Sequence, residues 1–364
     1  MSLRYRRLAA TWTVTVPILA VAVLALAWGR SIPPVVVVIA ALFLASSVLA
    51  AVHHAEVIAH RVGEPFGSLV LAVAVTVIEV ALILSLTVSG GPAAASLARD
   101  TVFAAVMITC NGIAGLSLLV AALRRRVAVF NAEGTGGALA TVATLSTLSL
   151  VLPAFTTSKP GPAFSAPQLA FAAVASLAVY GLFVLTQAVR HREYFLPVEP
   201  GGHAADGHAG PPTTRAATAS LALLLTALVA VVGLAKVESP AIESAVRAAS
   251  LPQAVVGVVI ALLVLLPETL AAVRAARRAR VQVSLNLAFG SAMASIGLTI
   301  PTIAAASLWV EGPLLLGLDA THIVLLGLTI VVATLTVVPG RATVLQAGVH
   351  LTLLAAFLLL AVSP

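Results

Sequence analysis

The chain has 364 residues, 60% of them hydrophobic and only 9% charged. A soluble domain carries roughly 25% charged residues, and a soluble core of this length could not hide so much apolar surface behind an ordinary exterior. Composition therefore excludes a water-soluble enzyme or binding module and makes the bilayer the natural solvent. The net charge of +7 would suggest nucleic acid in a soluble protein. Here the basic residues fall between apolar runs, where they set topology, and no nucleic-acid partner is expected.

Apolar runs of spanning length recur in chain order near 8–28, 33–52, 66–89, 101–123, 136–156, 167–189, 217–235, 252–273, 283–308, 321–338 and 342–362. The first follows Arg4, Arg6 and Arg7 but exceeds the ~7–15 residues of a signal-peptide core. It reads as a retained helix long enough for a ~30 Å hydrocarbon layer. The fold expected is an all-α polytopic membrane protein of about eleven helices. Of the 20 Lys and Arg residues, only Arg30, Arg99, Lys159, Lys236 and Arg247 fall on one side when the helices alternate. The other 15 mark the cytoplasmic side, by the positive-inside bias. That puts the N-terminus in the cytoplasm of a bacterial cell, the chain in the inner membrane, and the C-terminus outside. The Gly-, Pro- and His-rich stretch between Arg190 and Arg215 reads as a mobile cytoplasmic linker. The organisation expected is an extra helix over 1–31, a first half over 32–190, the linker over 191–215 and a second half over 216–364. Cys110 is the single cysteine, so no disulfide forms within the chain.

Ionisable residues are costly in a bilayer and mark function by default. Glu79 sits in the third run and Glu268 in the eighth. Each follows a glycine by about three turns, Gly67 and Gly257. Each is followed one helix later by a Gly-Leu-hydroxyl triplet, Gly115-Leu116-Ser117 and Gly297-Leu298-Thr299. With the two glutamates on helices of opposite direction, this is the trace of an inverted repeat, a pattern that places ion sites near the midplane on broken helices. Pro267 supplies such a break. Asn111, Ser117, Asn286, Ser291 and Ser295 add neutral oxygens, and Glu79 and Glu268 add carboxylates. That hard-oxygen set suits Ca²⁺, Mg²⁺ or Na⁺. A carboxylic acid can also hold a proton when the cation is absent, so one pair of groups can serve both ions. The transported ions are cargo; no cofactor is expected, and lipid is the surrounding partner, with self-association left open.

A second polar group, His53, His54, Glu56, His60, Arg61 and Glu64, precedes the third run. His53, Glu56 and His60 share one helix face. With Glu64 they form a candidate proton or cation entry; a zinc site or a polar helix end are the other readings. His350 lies inside the last run, with Gln346 one turn away as a candidate partner.

The run HHAEVIAHRVGEPFGSLVLAVAVTVIEVALILSL from His53 to Leu86 resembles the first signature of the bacterial calcium/sodium:proton antiporters of the calcium/cation exchanger superfamily. The run LLPETLAAVRAARRARVQVSLNLAFGSAMASIGLTIPT from Leu265 to Thr302 resembles the second, and the PGRATVLQAGVHLTLLAAF tail is similar to the family's last helix. The resemblance implies one extra helix plus two inverted five-helix repeats. It also implies export of Ca²⁺, or of Na⁺ or K⁺, in exchange for H⁺ by alternating access, with the family's acids falling on Glu79 and Glu268. The Gly-Asn-Ala-Thr/Ala-Glu pattern of better-known exchangers is replaced here by Thr76-Val77-Ile78-Glu79 and Leu265-Leu266-Pro267-Glu268. A proton-uncoupled channel or uniporter on the same scaffold is the main alternative. A membrane-embedded metalloenzyme at His53, Glu56 and His60 lacks any evident nucleophile or second ligand set.

Overall fold

The computed structural model describes residues 3–30, 33–63, 66–90, 95–198, 212–309 and 314–364, with the side chains of 3–10, 66–72, 86–90, 243 and 247 left aside. Glu64, His203 and His208 fall outside the described residues. The helices are α1 (Leu3–Ala27), α2 (Pro34–Val62), α3 (Phe66–Gly90), α4 (Leu97–Met107), α5 (Ala114–Arg125), α6 (Ala132–Ser146), α7 (Ala166–Leu185), α8 (Thr214–Ala248), α9 (Ala254–Arg277), α10 (Val281–Ala306), α11 (Ala320–Val337) and α12 (Val344–Val362). A π-helical turn, Ile108–Ile113, joins α4 to α5 as one continuous rod. Among the described residues nine helical segments are long and apolar enough to cross a membrane, and Thr11–Ala27 and Val73–Ser85 are shorter apolar helices. The chain is thus an all-α multi-pass membrane protein of about eleven spans.

Two helices outrun the sequence expectation. α2 continues to Val62 and takes in the His53–His60 group, while α8 continues through Pro240 to Ala248. The apolar runs ended where polar residues began, but a helix satisfies its own backbone and need not stop there.

The elements pack as two units. The first holds α1, α2, α3 and α8; the second holds the rest. In the first, α2 lies along α8, and α1 and α3 pack on both. Pro17 sits inside α1 and has no N–H to give the carbonyl of Thr13, four residues earlier. His54 of α2 answers that orphan: its Nε2 donates to the Thr13 carbonyl at 2.9 Å. A carbonyl only accepts, so Nε2 carries the proton and Nδ1 accepts from the Ser220 hydroxyl of α8 at 3.3 Å. One buried histidine therefore ties three helices.

In the second unit the α4–π–α5 rod is buried almost throughout, as its all-round apolar sequence requires. α9, α10 and α12 pack around it. A two-residue antiparallel pairing, Ala128 with Ala342 and Val129 with Arg341, staples the turn after α5 to the turn before α12. Arg124 at the end of α5 donates to the carbonyl of Arg277 at the end of α9 at 3.0 Å, so a basic residue read as a topology mark also caps a helix. The start of the linker is packed against the second unit. Phe195 is buried, its ring meets Phe183 edge-on at 5.7 Å, and Asn286 Nδ2 donates to its carbonyl at 2.8 Å. Gly134 makes room for this segment, because a Cβ there would strike the Tyr194 carbonyl.

At the other end of α4, Asp100 is buried with both oxygens engaged, by Arg99 Nε and Ser96 Oγ, each at 2.8 Å. Arg99 also donates to the Gly317 carbonyl at 3.1 Å. Asp319 caps α11 by accepting from the His322 N–H at 3.0 Å. Partial burial alone would raise its carboxyl pKa, but the His322 bonds and the Arg99 charge outweigh that and hold it below its ordinary 3.8.

Two outcomes are expected. His54→Leu costs about 2 kcal/mol, the scale of a buried unsatisfied carbonyl, and adding Pro17→Ala restores about half by returning the N–H to Thr13; melting of the purified variants in detergent reads both. Asp319→Ala costs up to about 1 kcal/mol at neutral pH. Because the folded pKa is depressed, that contribution is present above 3.8 and lost as pH falls through the lower folded value, so melting curves of variant and wild type converge in acid.

Candidate functional site

Glu268 belongs to a single buried stripe of α9 that runs through Gly257, Ala261, Val264, Leu265, Glu268, Ala272 and Ala276, the 3.6-residue period of a helix face. Gly257 is what lets that stripe approach α4. A Cβ there would stand 2.9 Å from the Asp100 carbonyl carbon and the Thr101 nitrogen, backbone atoms that cannot swing aside. Pro267 lies inside α9 and denies the Leu263 carbonyl its helical N–H.

One turn beyond Glu268, a hydroxyl knot fixes α9. Ser284 of α10 donates to the Ala272 carbonyl at 2.7 Å. Its single proton is then used, so Ser117 of α5 donates to the Ser284 oxygen. Ser117, a candidate oxygen ligand, is thus part of a three-helix fastening. Asn286 is likewise engaged: Nδ2 holds the Phe195 carbonyl, and Oδ1 accepts from Gln282 Nε2 at 2.9 Å. Of the two α10 serines expected on one face, Ser295 is buried and Ser291 half-buried. Thr299, one turn past Ser295, is fully buried, and its hydroxyl has no hydrogen-bond partner among the described residues.

Asn111 lies inside the π-helical turn, fully buried. π-turns occur often at functional sites, and no local signal in ITCNGI announces this one. Asn111 Nδ2 donates to Thr329 Oγ1 of α11 at 3.0 Å, and its Oδ1 faces His350 Nδ1 of α12 at 3.1 Å. Gln346 is not the partner of His350. It is spent on a capping box with Thr343 at the start of α12, where the helix needs an acceptor for its first N–H groups.

In the first unit, Glu79 lies on the protein-facing stripe of α3, buried with Val75, Thr76, Ile78, Leu82 and Ile83, while Val73 and Val77 are exposed. His53 and His60 are exposed and Glu56 is half-buried along α2. Among the described residues no group of three or more His, Cys, Asp and Glu is placed to hold a metal ion, so the zinc reading of His53, Glu56 and His60 finds no support there. Two buried acids escaped the sequence reading. Asp100 was placed in a connection but opens α4. Glu238 was placed beyond the seventh run, yet it is only 2% exposed within the longer α8, with Oε1 unbonded among the described residues.

The family model described as sodium/calcium exchanger protein matches residues 32–189 and 219–363. The chain is 46% identical to y4hA of Sinorhizobium fredii, a protein named for ionic transport, over 97% of this chain and 96% of that one. It is 34% identical to ChaA of Escherichia coli, named as a sodium-potassium/proton antiporter, over 94% of each. Its fold is similar to that of the H⁺/Ca²⁺ exchanger CAX, with a TM-score of 0.72 at 15% identity over 98% of this chain and 88% of that one.

The packing at Gly257 has a measurable consequence. Gly→Ala in an open helix stabilises by up to about 1 kcal/mol. Gly290 faces open space, while Gly257 faces backbone. Gly290→Ala is therefore expected to hold or raise the melting temperature, and Gly257→Ala to lower it by an overpacking cost of about 1–3 kcal/mol.

Proposed function

We propose that this chain, which belongs to the sodium/calcium exchanger protein family, is a secondary transporter that exchanges cytoplasmic cations for protons at Glu79 and Glu268. The observation that carries the reading is the placement of those two acids. Each is buried on the inward stripe of an apolar helix, where an uncompensated charge is expensive. A carboxyl group so placed can take up a proton or a cation in turn. If the two ions compete for the same oxygens, binding one releases the other, and that competition is the coupling.

The surroundings support a cation over a purely structural acid. Glu268 follows Pro267, which has no N–H to give the Leu263 carbonyl. Asn111, Ser291 and Ser295 stand on helices of the same unit. Hydroxyl, amide and carbonyl oxygens suit hard cations. The relatives frame the choice of ion: ChaA is named for sodium, potassium and protons, and CAX for protons and Ca²⁺. Ca²⁺ is the first reading, as the ion named beside protons for CAX. Na⁺ and K⁺ are the second reading, favoured by the 34% identity to ChaA over nearly the whole chain. The bias of the basic residues supports an N-terminus in the cytoplasm and a C-terminus outside the inner membrane. In a cycle of alternating access, protons load the acids from outside and the cytoplasmic cation displaces them.

Neutral isosteres test this directly. In reconstituted vesicles, Glu79→Gln and Glu268→Gln are each expected to cut proton-driven cation uptake at least a hundredfold while the protein still inserts and purifies as a single species. Wild-type uptake by either variant would refute the proposed site. Cation flux that ignores an imposed pH gradient would point to a channel instead.

A further inference from the structure

Two apolar spans of the second unit, Leu97–Arg125 and Ala254–Arg277, end in arginine. The positive-inside bias asks only that such residues lie in the connections. It does not ask that they converge. Here they do: Arg124 and Arg125 of α5 and Arg277 and Arg278 at the end of α9 line one cavity of about 350 Å³, a volume within the ~300–1,000 Å³ of small-ligand sites. All four are exposed, so their heads can be reached, and no acidic residue is among those lining the cavity.

The end of α9 does not use up these charges. The last four carbonyls of a helix have no N–H partner within it; in α9 they belong to Arg274, Ala275, Ala276 and Arg277. The Arg280 N–H closes on the Ala275 carbonyl and the Ala279 N–H on the Ala276 carbonyl, each at 3.0 Å, which is the Schellman arrangement. The Arg278 N–H reaches the Arg274 carbonyl at 3.3 Å, and Arg124 takes the Arg277 carbonyl at 3.0 Å. All four are answered, and Arg124 is the one arginine side chain required. Arg125, Arg277 and Arg278 add three positive charges that the closure of α9 does not need, and like charges gathered in one place repel.

The turns that border the cavity are strained. Glycine is the usual residue at the left-handed position of a Schellman end, yet Ala279 holds it with φ 63, and Arg126, after α5, has φ 67. Strain of this kind collects at ligand clamps. The rim is apolar on one side: Val127 and Val129 line the cavity, and Leu123, on the last turn of α5, is 68% exposed. Val129 stands opposite Arg341 in the short antiparallel pairing, which brings a fifth arginine to the edge. Guanidinium groups beside apolar surface, at the level where two spans end, match a phosphate with hydrocarbon attached. Arginine grips phosphate through paired N–H bonds, and basic pockets between membrane helices on the cytoplasmic side suit acidic lipid headgroups.

We propose that this cavity binds the phosphate of an anionic phospholipid of the cytoplasmic leaflet, held by Arg125, Arg277 and Arg278, with its acyl chains along the apolar rim at Leu123. The bound lipid ties the end of α5 to the end of α9, the helix that carries Glu268. The inference does not rest on which ions the protein moves.

The experiment follows thermal melting of the full-length protein in detergent as phosphatidylglycerol, phosphatidylcholine or inorganic phosphate is added. Phosphatidylglycerol is expected to raise Tm saturably, and the other two, at the same concentrations, to leave it unchanged. In Arg125→Gln/Arg278→Gln the half-saturating phosphatidylglycerol concentration is expected to rise about tenfold or more, on the scale of about fivefold per arginine at a charged lipid surface. The double variant Arg192→Gln/Arg215→Gln removes the same charge elsewhere and is expected to stay within about twofold of wild type, since its residues lie outside the cavity. Equal weakening in both double variants, no weakening in Arg125→Gln/Arg278→Gln, or equal stabilisation by phosphatidylcholine would each overturn the inference. A full Tm rise with inorganic phosphate would overturn the lipid as its source. Should the Arg125→Gln/Arg278→Gln protein fail to fold, native mass spectrometry of the wild type decides: retention of phosphatidylglycerol over phosphatidylcholine from an equal mixture supports the site, and equal retention refutes it.

Discussion

No water reaches the hydrocarbon core of a bilayer, so every backbone polar group held there must be answered by another part of the chain, and a side-chain polar atom left unanswered is costly. That demand organises the helices more than their apolar faces do, since lipid tails are as apolar as leucine and give helices no hydrophobic reason to associate. Pro17 opens one carbonyl and His54 closes it across two helix boundaries. Ser117 and Ser284 close on the Ala272 carbonyl. Asp100 is held by Arg99 and Ser96. In the first two cases a polar residue in an apolar helix specifies the helices beside it, and in the third it fixes the start of its own helix. In the proposed cycle a mobile ion, proton or cation, shares in answering the charge of Glu79 and of Glu268.

The glycines set how closely this can be done. Gly257 lets the Glu268 stripe meet the α4 backbone, and Gly115 and Gly297 each admit a ring from another helix. The last two stand in matched triplets of the two halves, and the rings they admit come from α12 and α7, the closing helix of each half. The arrangement agrees with a chain built from two related halves. It also shows where the halves diverge, a histidine with hydrogen-bonding nitrogens in one and a tyrosine in the other.

Much of this was legible in the sequence. Bilayer-length apolar runs gave the spans to within a few residues over most of the chain, because an all-apolar run has few alternatives in lipid. Glu79 and Glu268 stood out because acids are rare in such runs. The ends of α2 and α8 were missed for a physical reason: helices continue past the apolar core when their polar residues find partners, as His54 does. Glu238 was missed with the end of α8. The partners of His350 and Asn286 were illegible because they lie 239 and 91 residues away. A helical period names the face a residue shares, not what packs against it. The π-turn around Asn111 had no local signature at all.

The central claim is that protons and cations compete for the same two carboxylates. The most direct measurement follows proton release from everted membrane vesicles, acidified inside, as Ca²⁺, Na⁺, K⁺ and Mg²⁺ are added in turn to wild-type protein and to Glu79→Gln and Glu268→Gln. The account predicts that at least one of these cations drives protons out, saturably, and that both variants abolish the response. Cation entry with no proton movement, or proton release that survives in either variant, would contradict it.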